Sequence, residues 1–131
     1  MIIDTSALIA VLRGEPERRH FLELMDRAER LWIGAPTLVE LGMVVDGIHD
    51  PVVTRALDTL LDQLGVEVLP FDAAQARVAR EAFRDFGKGS GHPAQLNFGD
   101  CLTYAAAKAS GEPLLYKGND FPHTDLRTVN D

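Results

Sequence analysis

Short apolar segments alternate along the chain with longer segments whose apolar residues recur every three or four positions. The apolar segments are Met1–Ile3, Leu31–Ile33, Val66–Leu69 and Leu114–Tyr116, with a weaker one at Arg127–Val129. A short apolar run is typical of a buried strand, whereas the longer spacing is typical of a helix with one face in the core. This alternation predicts βα units around a parallel sheet, and therefore an α/β fold.

The helical spacing predicts five core-facing stripes. Their residues are Phe21, Leu24, Met25 and Ala28; Leu38, Leu41, Val45 and Ile48; Leu57, Leu60, Leu61 and Leu64; Ala79, Ala82, Phe83 and Phe86; and Leu102, Ala105, Ala106 and Ala109. Asp50 before a proline is a typical N-cap, and Asp72 with Gln75 three residues later matches a capping box. Gly65 and Gly111 stand where helix C-caps are expected.

Length and composition indicate one domain over residues 1–131, with 46% hydrophobic residues to fill its core. The single cysteine excludes an internal disulfide and a cysteine-based zinc site, which fits a cytoplasmic protein. We expect no signal peptide and no membrane span, because no apolar run approaches the roughly 20 residues that a bilayer requires.

The net charge of the chain limits the classes of function that it can have. The chain has 13 basic and 20 acidic residues, which gives a net charge of −7. Such a chain does not hold nucleic acid through bulk positive charge. A nuclease is still compatible with this charge, because a bound divalent cation reverses the local field.

Four acidic residues occupy positions that an α/β fold would bring together: Asp4, Glu40, Asp100 and Asp120. Asp4 and Asp120 follow predicted strands, and Glu40 and Asp100 are expected in the first turns of helices. Strand C-termini and helix N-termini share one edge of a parallel sheet, where α/β proteins carry their sites. Crowded carboxylates take up protons or bind a cation, and ligand sets made only of oxygen favour Mg²⁺ or Mn²⁺. The sequence therefore predicts metal-dependent chemistry.

Each acid also has an ordinary structural explanation. Glu40 and Asp100 follow a threonine and an asparagine by three residues, which matches a helix capping box. Asp4 could cap the next helix, and Asp120 could belong to a turn. We prefer the metal site because all four acids fall on one predicted edge, and one oxygen of a carboxylate can cap a helix while the other binds an ion.

Three motifs resemble those of PIN-domain ribonucleases, in particular the VapC toxins of bacterial toxin–antitoxin pairs. They are Met1–Leu8 (MIIDTSAL), Leu96–Cys101 (LNFGDC) and Leu114–Phe121 (LLYKGNDF), and the resemblance runs nearly from end to end. It implies a three-layer α/β/α PIN-domain fold with a five-stranded parallel sheet in the order 3-2-1-4-5. It also implies a Mg²⁺- or Mn²⁺-dependent endoribonuclease, a VapB-like antitoxin as partner and a homodimer.

The acidic quartet of that family falls on Asp4, Glu40, Asp100 and Asp120. Under this hypothesis Asp4 and Asp100 bind the metal directly, while Glu40 and Asp120 hold its water. Further side chains that could contact water or RNA are Thr5, Ser6, Lys88 and Lys117. The chain departs from the family at Lys117 and its neighbours, where many PIN domains carry a further acid or threonine, so Asp120 is expected to act through water.

Two other functions are compatible with the pattern. One is a catalytically silent PIN-fold module that binds RNA or a protein partner. The other is a receiver-like phosphoacceptor, which is disfavoured because the first strand ends in the single acid Asp4 rather than in a pair. The RNA target, the cleavage sequence and the number of metal ions are left open by the sequence.

Overall fold

The computed structural model describes residues 1–129, which form four strands, six α-helices and a short 3₁₀ helix. Along the chain these are β1 (Ile2–Ile3), α1 (Thr5–Leu12), α2 (Arg18–Arg27), β2 (Trp32–Gly34), α3 (Ala35–Asp46), α4 (Pro51–Leu64), β3 (Glu67–Leu69), α5 (Ala73–Phe86), α6 (Phe98–Ser110), β4 (Leu114–Leu115) and the 3₁₀ helix Phe121–His123. No helix in this part of the chain combines the length and apolar character needed to cross a membrane.

The strands form one parallel sheet in the order β3-β2-β1-β4. Ile2 of the central strand β1 lies opposite both Trp32 and Leu114. The predicted α/β fold and the order of the first four strands are therefore confirmed.

The prediction of a fifth strand at Arg127–Val129 is wrong, because this segment does not form a strand in the structure. Thr128 forms only an isolated parallel bridge with Leu114, although the segment does lie beside β4 as expected. The Leu114 N–H donates to Arg127 O at 2.9 Å, and the Val129 N–H donates to Leu114 O at 3.0 Å.

The sheet separates two apolar cores. Ile3 and Leu115 point into the core shared with α1, α2, α3 and α4, whereas Ile2 and Leu114 point into the core shared with α5 and α6. Successive side chains of a strand face opposite sides of a sheet, so even a two-residue strand contributes to both cores. This arrangement is the predicted α/β/α sandwich.

Three residues of the predicted core faces, Ile48, Phe83 and Ala109, are exposed instead of buried. Phe83 of α5 is 49% exposed and lines a surface groove, because the described residues leave that side of α5 uncovered. Ile48 is also exposed, since α3 ends at Asp46 and no longer directs it inward.

The predicted helix caps are confirmed, except that the capping box at Asp72 is only half formed, because the Gln75 side chain donates to Pro70 O rather than accepting from the Asp72 N–H. The Asp50 side chain accepts from the Val52 N–H, and the Asp72 side chain accepts from the Gln75 N–H, both at 2.9 Å. Gly65 and Gly111 end α4 and α6 with φ of 65° and 73°, in the left-handed region that favours glycine. Local sequence therefore determines where these helices begin and end.

Candidate active site

Asp4 lies at the end of the central strand and caps α1. Its Oδ2 accepts from the Ser6 N–H at 3.1 Å and from the Ser6 hydroxyl at 2.6 Å. Its Oδ1 accepts from the Thr103 hydroxyl at 2.7 Å, and the residue is only 6% exposed. A carboxylate offers about four lone-pair sites, so three are used and the remaining one is on Oδ1.

Asp100 lies in the first turn of α6, where the predicted capping box is confirmed: Asp100 Oδ2 accepts from the Asn97 N–H at 3.1 Å. Burial is the main cause that raises the pKa of Asp100 to about 7. The Asn97 hydrogen bond opposes this rise, while the charges of Asp4 and Asp120 and a side-chain hydrogen bond with Asp120 add to it. Asp4, Asp100 and Asp120 are therefore close enough to interact.

Glu40 reaches the same place from α3, although not as predicted. Since α3 begins at Ala35, Glu40 lies in the second turn and forms no capping box with Thr37. Its Oε1 instead accepts from the Thr5 hydroxyl at 2.9 Å. A Cβ added at Gly99 would overlap the Glu40 carboxylate, so the missing side chain at Gly99 lets Glu40 approach the residue before Asp100.

Asp120 is the exposed member of the quartet. It occupies the N-cap position of the 3₁₀ helix Phe121–His123, but its side chain makes no capping hydrogen bond there. Its interaction with Asp100 is the contact that joins it to the other acids. The structure thus gathers all four predicted acids at the carboxyl edge of the sheet.

The remaining predicted residues differ in their surroundings. Thr5 and Ser6 lie in the site, through their hydrogen bonds with Glu40 and Asp4. The Lys117 N–H donates to Ser6 Oγ at 2.9 Å, but its ammonium group forms ion pairs with Glu15 and Glu17. Lys88 is exposed in the glycine-rich loop, and its backbone N–H donates to Leu96 O at 3.0 Å.

Asp72, the acid that was assigned only a capping role, follows the edge strand β3. Its Oδ1 caps α5, away from the strands that carry Asp4 and Asp120. Capping and site acids thus look alike in sequence, and the order of the strands separates them.

Three residues of the site were missed by the sequence analysis: Thr37, Gly99 and Thr103. The hydroxyls of Thr37 and Thr103 lie 3.2 Å apart and are buried, and the second of them donates to Asp4. The available signal was spacing, because Thr103 follows Asp100 by three residues and so shares its face of α6.

The donor set fits a hard divalent cation in kind, because all of its ligand atoms are carboxylate oxygens. Within residues 1–129 no three acidic, histidine or cysteine side chains already form a coordination shell. Mg²⁺ does not require one, since it usually keeps several waters and binds one or two carboxylates. Asp4, with one lone pair left, and the neighbouring Asp100 meet that requirement.

Fold and site together define a class: a parallel α/β domain with a carboxylate cluster at the carboxyl edge of its central strands. The PIN-domain sequence profile matches residues 1–126. The chain belongs to the PIN-domain family.

Known proteins resemble this chain over nearly its full length. The chain is 49% identical over 131 residues to the ribonuclease VapC28 of Mycobacterium tuberculosis, covering 100% of this chain and 98% of that protein. It has the same fold as VapBC2 from Rickettsia felis bound to a DNA fragment from their promoter, with a TM-score of 0.76, 18% identity and coverage of 97% and 94%. It also matches Mycobacterium tuberculosis VapC20, a sarcin–ricin loop cleaving toxin, with a TM-score of 0.73, 17% identity and coverage of 98% and 97%.

Proposed function

We propose that the protein is a Mg²⁺- or Mn²⁺-dependent endoribonuclease and the toxin of a toxin–antitoxin pair. The observation that carries the proposal is geometric: the Thr103 hydroxyl of α6, the helix whose first turn holds Asp100, donates to Asp4 at the end of β1, and Glu40 lies against Gly99 beside Asp100. Such a cluster is costly unless a cation or a proton neutralises it. The name of the 49%-identical relative, a ribonuclease, supports RNA as the substrate.

Asp4 and Asp100 are the proposed metal ligands. The ion, when bound, lowers the pKa of water and offsets negative charge that develops on the scissile phosphate. Asp4 is suited to this role because its hydrogen bonds fix the carboxylate and leave one lone pair on Oδ1. Glu40, held by Thr5, and the exposed Asp120 are suited to orient the attacking water and to accept its proton.

Because the protein is acidic overall, it needs basic side chains near the site to hold the phosphates of RNA. Lys88 is the preferred phosphate contact, because it is exposed in the glycine-rich loop that precedes the helix of Asp100. Lys117 is a weaker candidate, since its ammonium group is already paired with Glu15 and Glu17. A phosphate that displaced these carboxylates from Lys117 would lose the free energy that the two ion pairs contribute.

Cleavage of mixed RNA with and without EDTA tests the proposal. We expect the wild type to cut RNA with Mg²⁺ or Mn²⁺, and to lose this activity in EDTA. Asp100→Asn should not cut under either condition, because the amide is a poor ligand for a hard cation. RNA binding without cleavage by the wild type, in the presence of metal, would instead favour the catalytically silent module.

A VapB-like antitoxin is the proposed protein partner, and the cytoplasm is the proposed place of action. The support is the family of the chain and its structural likeness to the VapBC2 protein. A neighbouring reading frame for a small DNA-binding protein, whose product binds this chain and inhibits cleavage, is the expected finding.

A homodimer is proposed from an exposed apolar face next to the acids. Met43 of α3 is 71% exposed and Phe98 of α6 is 78% exposed. Two adjoining grooves of about 710 and 730 Å³ share Phe71, Phe98 and Leu102. A monomer rarely leaves so large a contiguous apolar surface in water, so we propose that a second copy of the chain covers it.

Met43→Glu should convert the dimer to a monomer, because it places a charge in the centre of the apolar face. Sedimentation velocity at micromolar concentration measures the mass. Val52→Glu is the matched control, since Val52 is also an exposed apolar residue but lines neither groove. A wild-type monomer, or an unchanged dimer in Met43→Glu, would contradict this assignment.

A further inference from the structure

We infer that Thr103 is a positioning residue for Asp4, and that Thr37 fixes the direction of the Thr103 hydroxyl. The inference rests on the proposed function, in which Asp4 is a metal ligand. Thr37 and Thr103 are 2% and 1% exposed, so bulk water does not compete for these hydrogen bonds. The Thr37 and Thr103 hydroxyls lie within hydrogen-bond distance of each other, and the Thr103 hydroxyl also donates to Asp4, so both buried groups have a partner.

Thr37, Thr103 and Asp4 form a series of two hydrogen bonds, which we call the relay. The chemistry of the three side chains determines which of them donates in each bond. The Thr103 hydroxyl has a single proton, which it donates to Asp4 Oδ1, 2.7 Å away. The contact between Thr37 Oγ1 and Thr103 Oγ1, at 3.2 Å, could run either way by geometry alone. Because the Thr103 proton is already used, Thr37 is the donor. The relay therefore runs from α3 through α6 to the end of β1.

This relay sets which lone pair of Asp4 is free. Ser6 occupies both sites on Oδ2, and Thr103 occupies one site on Oδ1. The remaining site is on the oxygen that Thr103 contacts. Without the Thr103 hydroxyl, Oδ1 loses its protein donor, and of these three hydrogen bonds the carboxylate keeps the two that Ser6 donates to Oδ2.

Thr103 also couples the two proposed ligands. It follows Asp100 by three residues, so one face of α6 carries one ligand and orients the other. The Ser6 contacts come from two residues away in the chain, whereas the Thr103 bond joins residues 99 positions apart. Partners of this kind, which do not touch the metal, typically change metal affinity by about 10- to 100-fold.

Titration of Mn²⁺ followed by electron paramagnetic resonance tests the inference without relying on activity. Thr103→Val keeps the shape and removes the donor, and we expect the Kd for Mn²⁺ to rise at least about 10-fold. Thr103→Ser keeps the hydroxyl and should bind Mn²⁺ as the wild type does. Thr54→Val is the matched control, because Thr54 also donates to an aspartate, Asp46, but at the surface of α3 and α4.

Wild-type affinity in Thr103→Val would overturn the inference, and so would equal losses in Thr103→Val and Thr103→Ser, because serine keeps the hydroxyl donor and a missing hydrogen bond could not explain its loss. If Thr103→Val does not fold, Thr103→Cys in reducing buffer replaces it, and its weak donor should also raise the Kd. Absence of Mn²⁺ binding by the wild type would refute the proposed metal site itself, which distinguishes the two failures.

Discussion

Asp4→Asn is expected to lower RNA cleavage by at least about 10³-fold, the upper range for loss of one electrostatic contact at a reacting centre. The neutral amide is a poor ligand for Mg²⁺, and Asp4 has no acidic neighbour in the chain that could replace it. Initial rates on a fluorescent RNA with Mg²⁺ measure the loss. A fully active Asp4→Asn would refute the assignment of Asp4 as ligand.

The fold should survive this change. The Ser6 N–H still needs an acceptor, so the amide oxygen takes the place of Oδ2 and the NH₂ group faces Thr103. The Thr103 hydroxyl can then accept and pass its own proton to Thr37. Asp4→Ala, by contrast, removes the helix cap and leaves buried donors unpaired, which costs about 1–3 kcal/mol. Circular dichroism and thermal unfolding separate the two variants.

Asp72→Asn is the matched control for activity. Asp72 also stands between a strand and a helix and also caps through a side-chain oxygen. It lies after the edge strand, outside the carboxylate cluster. We expect wild-type cleavage from this variant, and a loss comparable to that of Asp4→Asn would show that capping, rather than metal binding, explains the effect.

Asp100→Asn is expected to stabilise the metal-free protein at neutral pH. The pKa of Asp100 is about 7 in the fold, against an ordinary value of 3.8. Between these values the folded state holds a proton that the unfolded state has lost, so ionisation of Asp100 opposes folding more strongly as the pH rises. This cost grows from about pH 4 to about pH 7 and is constant above that range.

Denaturant unfolding in EDTA, from pH 4 to pH 8, measures this effect. The difference in unfolding free energy between Asp100→Asn and the wild type should be small at pH 4 and reach about 1–2 kcal/mol at pH 8, because solvent at the partly exposed site screens the full shift. Mg²⁺ should then raise the Tm of the wild type and not that of the variant. A pH-independent difference would contradict this account of Asp100.

The sequence by itself determined much of the fold. Apolar runs located all four strands, and for β1, β2 and β4 the reason is that a strand buried between two helical layers must be apolar on both sides. Helix caps were equally predictable, because Asp50, Asp72, Gly65 and Gly111 act on backbone groups within a few residues. Asp4 and Asp100 were recoverable for the same reason: each lies at a junction that local sequence defines.

Tertiary structure decided what depends on contacts between distant segments. Glu40 matched a capping box by spacing, but it reaches Thr5 instead, because Gly99 leaves space for its carboxylate. Phe83 matched a core position, but no helix of the described chain covers it. The hydroxyl of Thr103 meets Asp4 across 99 residues, a contact that no local pattern encodes. Periodicity records which face of a segment is apolar, and packing alone determines what that face meets.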